Sequence, residues 1–277
     1  YVLGGFLSTK PRWEAFADEW QAVLDQPNPS RLDYYKFSQS RALKGQFSDA
    51  MGWTDALRDQ RVAALAEVAT KHAMHRFEVS MRHTDFEMIR AVPVFERSLL
   101  SDHPYAFLAL HVVSTVSAIA LINRITAPID FIFDSQGGFE AELQRLWPAH
   151  KGRQQSPWGT VEIGQCFFHD EIRFRPLQAA DLWAGAVRHG LTTNTALPET
   201  NIIGLSLSGV SEHMTRKDVK AFATRLLEEA EKRSSAAPHS VLEELDAAKA
   251  ARKRKLNRKP KKPTKKQRKA TRTKNAD

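Results

Sequence analysis

Pro128-Ile129-Asp130-Phe131-Ile132-Phe133, followed at once by Asp134-Ser135-Gln136-Gly137-Gly138, is the stretch on which the fold turns. A short β-branched and aromatic run, bounded by a turn cluster, reads as a buried strand. Before it lies the most apolar part of the chain, Tyr105 to Ile122, within a segment from His103 to Ile125. That run approaches the length of a membrane span. It carries His111, several Ser/Thr residues and several alanines, and lacks a flanking charge asymmetry, so a buried central helix without membrane insertion is expected. A long apolar helix leading into a short apolar strand suits a sheet covered on both faces.

The same alternation extends outward. Tyr1 to Leu7 reads as a strand entered partway through a fold, so the sequence is expected to be a fragment lacking its natural N-terminus. Ser8 or Thr9 can cap the next helix, with Pro11 in its first turn. Trp13, Phe16, Trp20, Val23 and Leu24 give that helix an apolar stripe, ended by Pro27 and Pro29. Asp33 to Ser38 reads as a short strand or extended segment. Thr54 caps a helix over Asp55 to His72, and Arg76 to Met81 reads as a strand. Further on come a helix from Phe139 to Trp147, a strand from Val161 to Phe168, and a helix begun by Pro176. After a loop around Thr192 to Asn201, two helices are expected, from about Arg216 to Arg233 and from Ser240 onward. Strands alternating with helices predict an α/β layered fold.

Charge is unevenly placed. Residues 249–277 hold fifteen Lys/Arg and one acid, whereas residues 1–248 hold 26 basic and 31 acidic side chains. The body is therefore mildly acidic, and the tail alone makes the protein basic. The tail has almost no large apolar residue and is expected to be disordered. A single cysteine, Cys166, excludes an intramolecular disulfide and any cysteine-based zinc centre, and suits a reducing, cytoplasmic location.

No self-contained catalytic motif is present: there is no phosphate-cradling glycine loop, no helical His pair backed by glutamate, and no nucleophile elbow. Two acids stand out by context. Asp134 sits at the carboxyl end of its strand, where ligands collect in open α/β sheets; alternatively it caps the next helix or shapes the Gly137-Gly138 turn. Asp181 lies in Leu177-Gln178-Ala179-Ala180-Asp181-Leu182-Trp183-Ala184-Gly185, a helix apolar nearly all round. A carboxylate there needs a partner, either a functional one or a neighbouring arginine or backbone amide. Gln178 lies one turn earlier on the same face. Lys36 and Ser38 are candidates to meet a phosphate. Glu162, His169 and Asp170 are weaker candidates for a further ligand, His111 reads as a core histidine, and Cys166 as inert.

Phe133-Asp134-x-Gln136, the Leu177-Gln178-x-x-Asp181-Leu182-x-Ala184-Gly185 helix, the early Val2-Leu3-Gly4-Gly5 strand and Lys36-Phe37-Ser38 together resemble the domain of unknown function 3800 family. The resemblance spans roughly Tyr1 to Gly190. It implies an RNase H-like mixed sheet flanked by helices over 1–190; the helices expected further on make a helical extension over 191–248, ahead of the polybasic tail over 249–277. The family carries an acidic first-strand motif ahead of its Val-Leu-Gly-Gly strand, and nothing in this sequence matches it. The resemblance implies a metal-dependent nuclease using Mg²⁺, with Mn²⁺ as a substitute, for which Asp134 and Asp181 are metal ligands. Gln178 then orients Asp181 or touches substrate, and Lys36 and Ser38 touch substrate.

The tail, fifteen cations without an aromatic residue, predicts salt-sensitive, sequence-independent nucleic-acid binding. It also matches a localisation signal or a contact with acidic lipid head groups. Two functions follow as expectations: a metal-dependent phosphodiester hydrolase, or a non-catalytic adaptor that binds nucleic acid through its tail.

Overall fold

The computed structural model describes residues 1–90, 103–135, 137–156, 159–218, 221 and 224. All fall within one compact unit, Tyr1–Leu226. The tail, and the C-terminal helices expected beyond Asp218, lie outside the described residues apart from Ala221 and Thr224.

The fold is mixed α/β, built on two three-stranded sheets. In the first, β1 (Val2–Leu7) runs antiparallel to β2 (His75–Met81), which runs parallel to β6 (Gly209–Met214). In the second, β3 (Ile129–Asp134) runs parallel to β5 (Gly159–His169), which pairs antiparallel with β4 (Gly152–Ser156). The helices are α1 (Lys10–Leu24), α2 (Phe37–Ala42), α3 (Asp55–His72), α4 (His83–Arg90), α5 (Pro104–Ile122), α6 (Phe139–Leu146), α7 (Arg175–Thr193) and α8 (Pro198–Ser206).

Strand alternation sorts the core onto two faces. Val79 and Met81 of β2 pack with α5, α6 and the inner residues of β3 and β5. A second cluster joins α1, α3, α7 and α8 through Phe16, Trp20, Leu65, Leu182 and Ile203. Each fully buried side chain of this size contributes about 1.5–3 kcal/mol relative to exposure. On the α7 side of β2, Glu78 accepts from Trp183 Nε1 at 3.1 Å and pairs with Arg76 at 3.0 Å, which ties helix to sheet. Gly4 lets the pieces approach: a Cβ there would stand 3.0 Å from Trp183 and 3.4 Å from Ala184. The apolar run Tyr105 to Ile122 forms α5, long and apolar enough to cross a membrane and for the most part buried among the strands and α6.

Several local expectations change. Thr9 precedes α1 but makes no side-chain cap bond. Pro11, at the second helical position, has no N–H to give it, and Ser8 instead donates to the His72 carbonyl at 2.6 Å. Thr54 does cap α3, accepting from the Leu57 amide at 3.3 Å. Asp33 to Ser38 is not a strand: Lys36 precedes α2, and Ser38 is inside it. The amides of Tyr35 and Phe37 are taken by the side chains of Gln178 and Asp181, which leaves the segment no ladder to join. The strands β4 and β6 and the helices α4 and α8 were not expected. Of these, β6 follows the boundary expected at residue 190, yet it pairs with β2 along Arg76 to Met81.

Glu199, in the first turn of α8, is 3% exposed and its Oε1 has no partner. Burial pushes its carboxyl above the ordinary range, against its own backbone amide and the nearby Arg41. A raised acid lends stability below its unfolded pKa and loses it as pH rises through the folded one. Glu199→Gln should therefore unfold at higher urea than the wild type at about pH 7.5, with the difference closing towards about pH 4. A pH-independent difference would contradict this account of the buried carboxyl.

Candidate functional site

Asp134 is the last residue of β3, opposite His169 at the end of β5. From there the chain turns through residues 170–174 into α7. Asp170 holds that turn, accepting from the Ile172 amide at 2.9 Å, and the turn presents Glu171 back to Asp134. The Glu171 amide donates to Asp134 Oδ1 at 3.3 Å, and the Glu171 carboxylate pairs with Lys36 Nζ. Asp181, two turns into α7, accepts from the Phe37 amide at 2.7 Å. The strand end, the turn, α7 and the start of α2 thus bring Asp134, Glu171, Asp181 and Lys36 to one place.

Gln178 sets this arrangement. Its Oε1 accepts from Trp20 Nε1 at 2.9 Å and the Tyr35 amide at 3.0 Å. Its Nε2 donates to the carbonyls of Glu171 and Ile172 at 3.0 and 3.3 Å. An amide side chain has two acceptor sites and two donors, so all four are spent inside the protein, and Gln178 is only 1% exposed. It makes no bond to Asp181 and has no capacity left for a substrate. Gly185 completes the fit, because a Cβ there would fall 2.2 Å from the Phe37 ring.

The acids and the cation act on one another. Burial raises the Asp181 carboxyl above its usual range, against the Phe37 amide and the charges of Lys36 and Arg188. Burial also raises Glu171, which Lys36 draws down and Asp181 and Asp134 push further up. Burial works against the Lys36 charge, but Glu171, Asp181 and Asp134 outweigh it, so its ammonium titrates above an ordinary lysine.

This cluster lies at a cavity of about 410 Å³. Two of its walls are the strands β1 and β3, which among the described residues pair only with β2 and β5 respectively. Val112 and Val116 of α5 and Ala180 and Ala184 of α7 also line it, with exposed Ser38 on its wall. Arg188, a further cation of α7, lines the same cavity.

Four of the expected residues, Lys36, Ser38, Asp134 and Asp181, line this one cavity, while Gln178 stands behind it. Glu171 and Arg188 were not singled out from sequence. Glu171 follows Asp170 in a polar turn, and only the folded turn distinguishes the two. Asp170 is spent on its own turn, His169 stacks on Phe174 at 5.0 Å, and Glu162 is exposed opposite Arg153. The Cys166 thiol is pushed up to about 12 by burial, which makes it inert.

Mg²⁺ sites need several hard oxygen ligands around one point. Among the described residues no group of three or more His, Cys, Asp or Glu side chains is placed to hold a metal ion. Lys36 is drawn into the acids instead. The described residues do not by themselves fit a divalent ion. In comparisons with known proteins, the chain matches no family model, no curated protein and no solved structure.

Removing the Gln178 amide should be costly, because Gln178→Met leaves the Trp20 indole and the Tyr35 amide without acceptors. The expected loss is about 2–4 kcal/mol in urea unfolding. A loss below about 1 kcal/mol would show that Gln178 does not hold the site together.

Proposed function

We propose that the chain is an RNase H-like member of the domain of unknown function 3800 family that processes phosphodiester bonds in nucleic acid. One observation carries the reading: Asp134 and Asp181, from a strand end and a separate helix, line one cavity walled by two strand edges that have no ladder partner among the described residues. A strand laid in that cavity would join the sheets in the order β6-β2-β1-strand-β3-β5-β4. Such a mixed sheet, with α5 on one face and α7 on the other, is the arrangement expected of an RNase H-like domain. Its central strand is also where the family carries an acid.

On this reading Asp134 and Asp181 are two ligands, and a carboxylate on the inserted strand is a third. Only that completed set suits Mg²⁺, or Mn²⁺ in its place. Lys36, Ser38 and Arg188 line the cavity where a phosphate would approach. The polybasic residues 249–277 raise the local concentration of nucleic acid without selecting sequence. A cytoplasmic location without membrane insertion belongs to the same proposal. The incomplete acid set favours one alternative, an adaptor that binds nucleic acid through residues 249–277 without turnover.

The test is cleavage of RNA, DNA and hybrid duplexes in Mg²⁺ by the longest form of the protein its gene encodes. Asp134→Asn and Asp181→Asn should each lower cleavage at least about 100-fold, the upper end of what losing an outer-shell partner of a metal costs. Cleavage unchanged in both variants sinks the enzyme reading. Binding without turnover, abolished by deleting residues 249–277, favours the adaptor.

A further inference from the structure

We propose that the outward face of β3 and β5 is a stacking platform for the bases of a single-stranded nucleic acid whose backbone passes Asp134. The inference rests on the nucleic-acid reading above and names the form of substrate that the same site takes.

Side chains alternate along β3, so Ile129, Phe131 and Phe133 turn inward to the core, while Asp130, Ile132 and Asp134 turn outward. On β5, Phe167 stands opposite Ile132, and His169 opposite Asp134. The face that carries Asp134 thus also carries Ile132, 37% exposed, and Phe167, 43% exposed. Among the described residues Phe167 is the one Phe, Tyr or Trp side chain that is exposed. A lone exposed apolar residue is ordinary, but these are grouped. Ile172, 48% exposed, belongs to the turn just beyond β5. In the same place the exposed His169 ring stacks on Phe174 at 5.0 Å, with the ring planes 19° apart.

The chemistry of the face selects the occupant. β5 is flanked by β3 and β4, so its backbone groups are spent and a further protein strand finds no ladder there. What remains is a flat apolar and aromatic surface, on which a base of any sequence stacks. Outward charges on the same side do not suit the phosphates of a duplex, because Asp130 and Glu162 stand against Arg153. A single strand turns its bases to the protein instead. Its phosphates then meet cations at the border: Arg173 is exposed in the turn after β5, and Lys36 and Arg188 line the cavity with Asp134. Asp134 lies two positions beyond Ile132, about 7 Å along the strand, so a base on Phe167 brings a neighbouring phosphate to it. Residues 249–277 contain no aromatic side chain, so any stacking has to come from the body.

Fluorescence anisotropy of the full chain tests the proposal, in EDTA and at about 0.3 M salt, where the hold of residues 249–277 on phosphate is weakened. The probes are a single-stranded DNA of about twelve nucleotides, an abasic strand of the same charge, and the matching duplex. The wild type should bind the base-bearing strand at least about fivefold tighter than the abasic strand and the duplex, the lower end of what one stacked base supplies. Phe167→Ala should abolish that preference, and Phe167→Trp should keep it. Equal binding of the base-bearing and abasic strands by the wild type, or a preference that survives Phe167→Ala, would overturn the proposal. So would a wild-type dimer in sedimentation that Phe167→Ala dissociates, since a second copy would then cover the face. The outcome separates from the nuclease reading. A protein that never cleaves, yet loses its base preference in Phe167→Ala, keeps the platform and loses the enzyme assignment. One that cleaves without any base preference does the reverse.

Discussion

Backbone N–H and C=O groups inside a protein must find partners, and a strand edge presents a row of them. In this fold that requirement is met for β2 and β5, each flanked by two strands, and among the described residues is left open on one side of β1 and β3. Those two edges face a common cavity, with helices α5 and α7 contributing its remaining walls. The split into two sheets, the cavity and the place of the acids all follow from this one feature. Asp134 stands at the end of one open edge, and Asp181 projects from the helix that packs over the other.

The acid centre depends on a second, smaller constraint. A glutamine with one oxygen and one nitrogen joins the Tyr35 segment, α1 and the turn after β5 through four bonds. Two of those segments, the one at Tyr35 and the turn after β5, carry Lys36 and Glu171. Because the fastener lies on α7 one turn before Asp181, helix and turn are set together. The site is thus held from behind, by a residue that has nothing left to offer a ligand.

Much of the fold was legible in the sequence because its signals are local. The apolar run before Pro128 could only be a core helix or a membrane span, and the Thr54 cap marked the start of α3. Asp134 and Asp181 were legible because an acid at a strand end, and one in an apolar helix, each need an explanation. What was hidden depends on distant partners. Asp33 to Ser38 has strand-like composition, yet its Tyr35 and Phe37 amides are claimed by residues more than 140 positions away. The strand β6 is only half-buried, and its alternation is weak without β2 beside it. Glu171 looked like any acid of a polar turn until the turn folded it against Lys36.

Among the described residues β1 and β3 each leave one edge without a partner strand, and both strands line the same cavity. Amide hydrogen exchange resolved to single residues tests this directly. Slow exchange is expected throughout β2 and β5, and fast exchange for the amides of Val2–Leu7 and Ile129–Asp134 that point away from those partners. Cavity-side amides as slow as those of β2 and β5 would mean that the edges are already paired, and would contradict it.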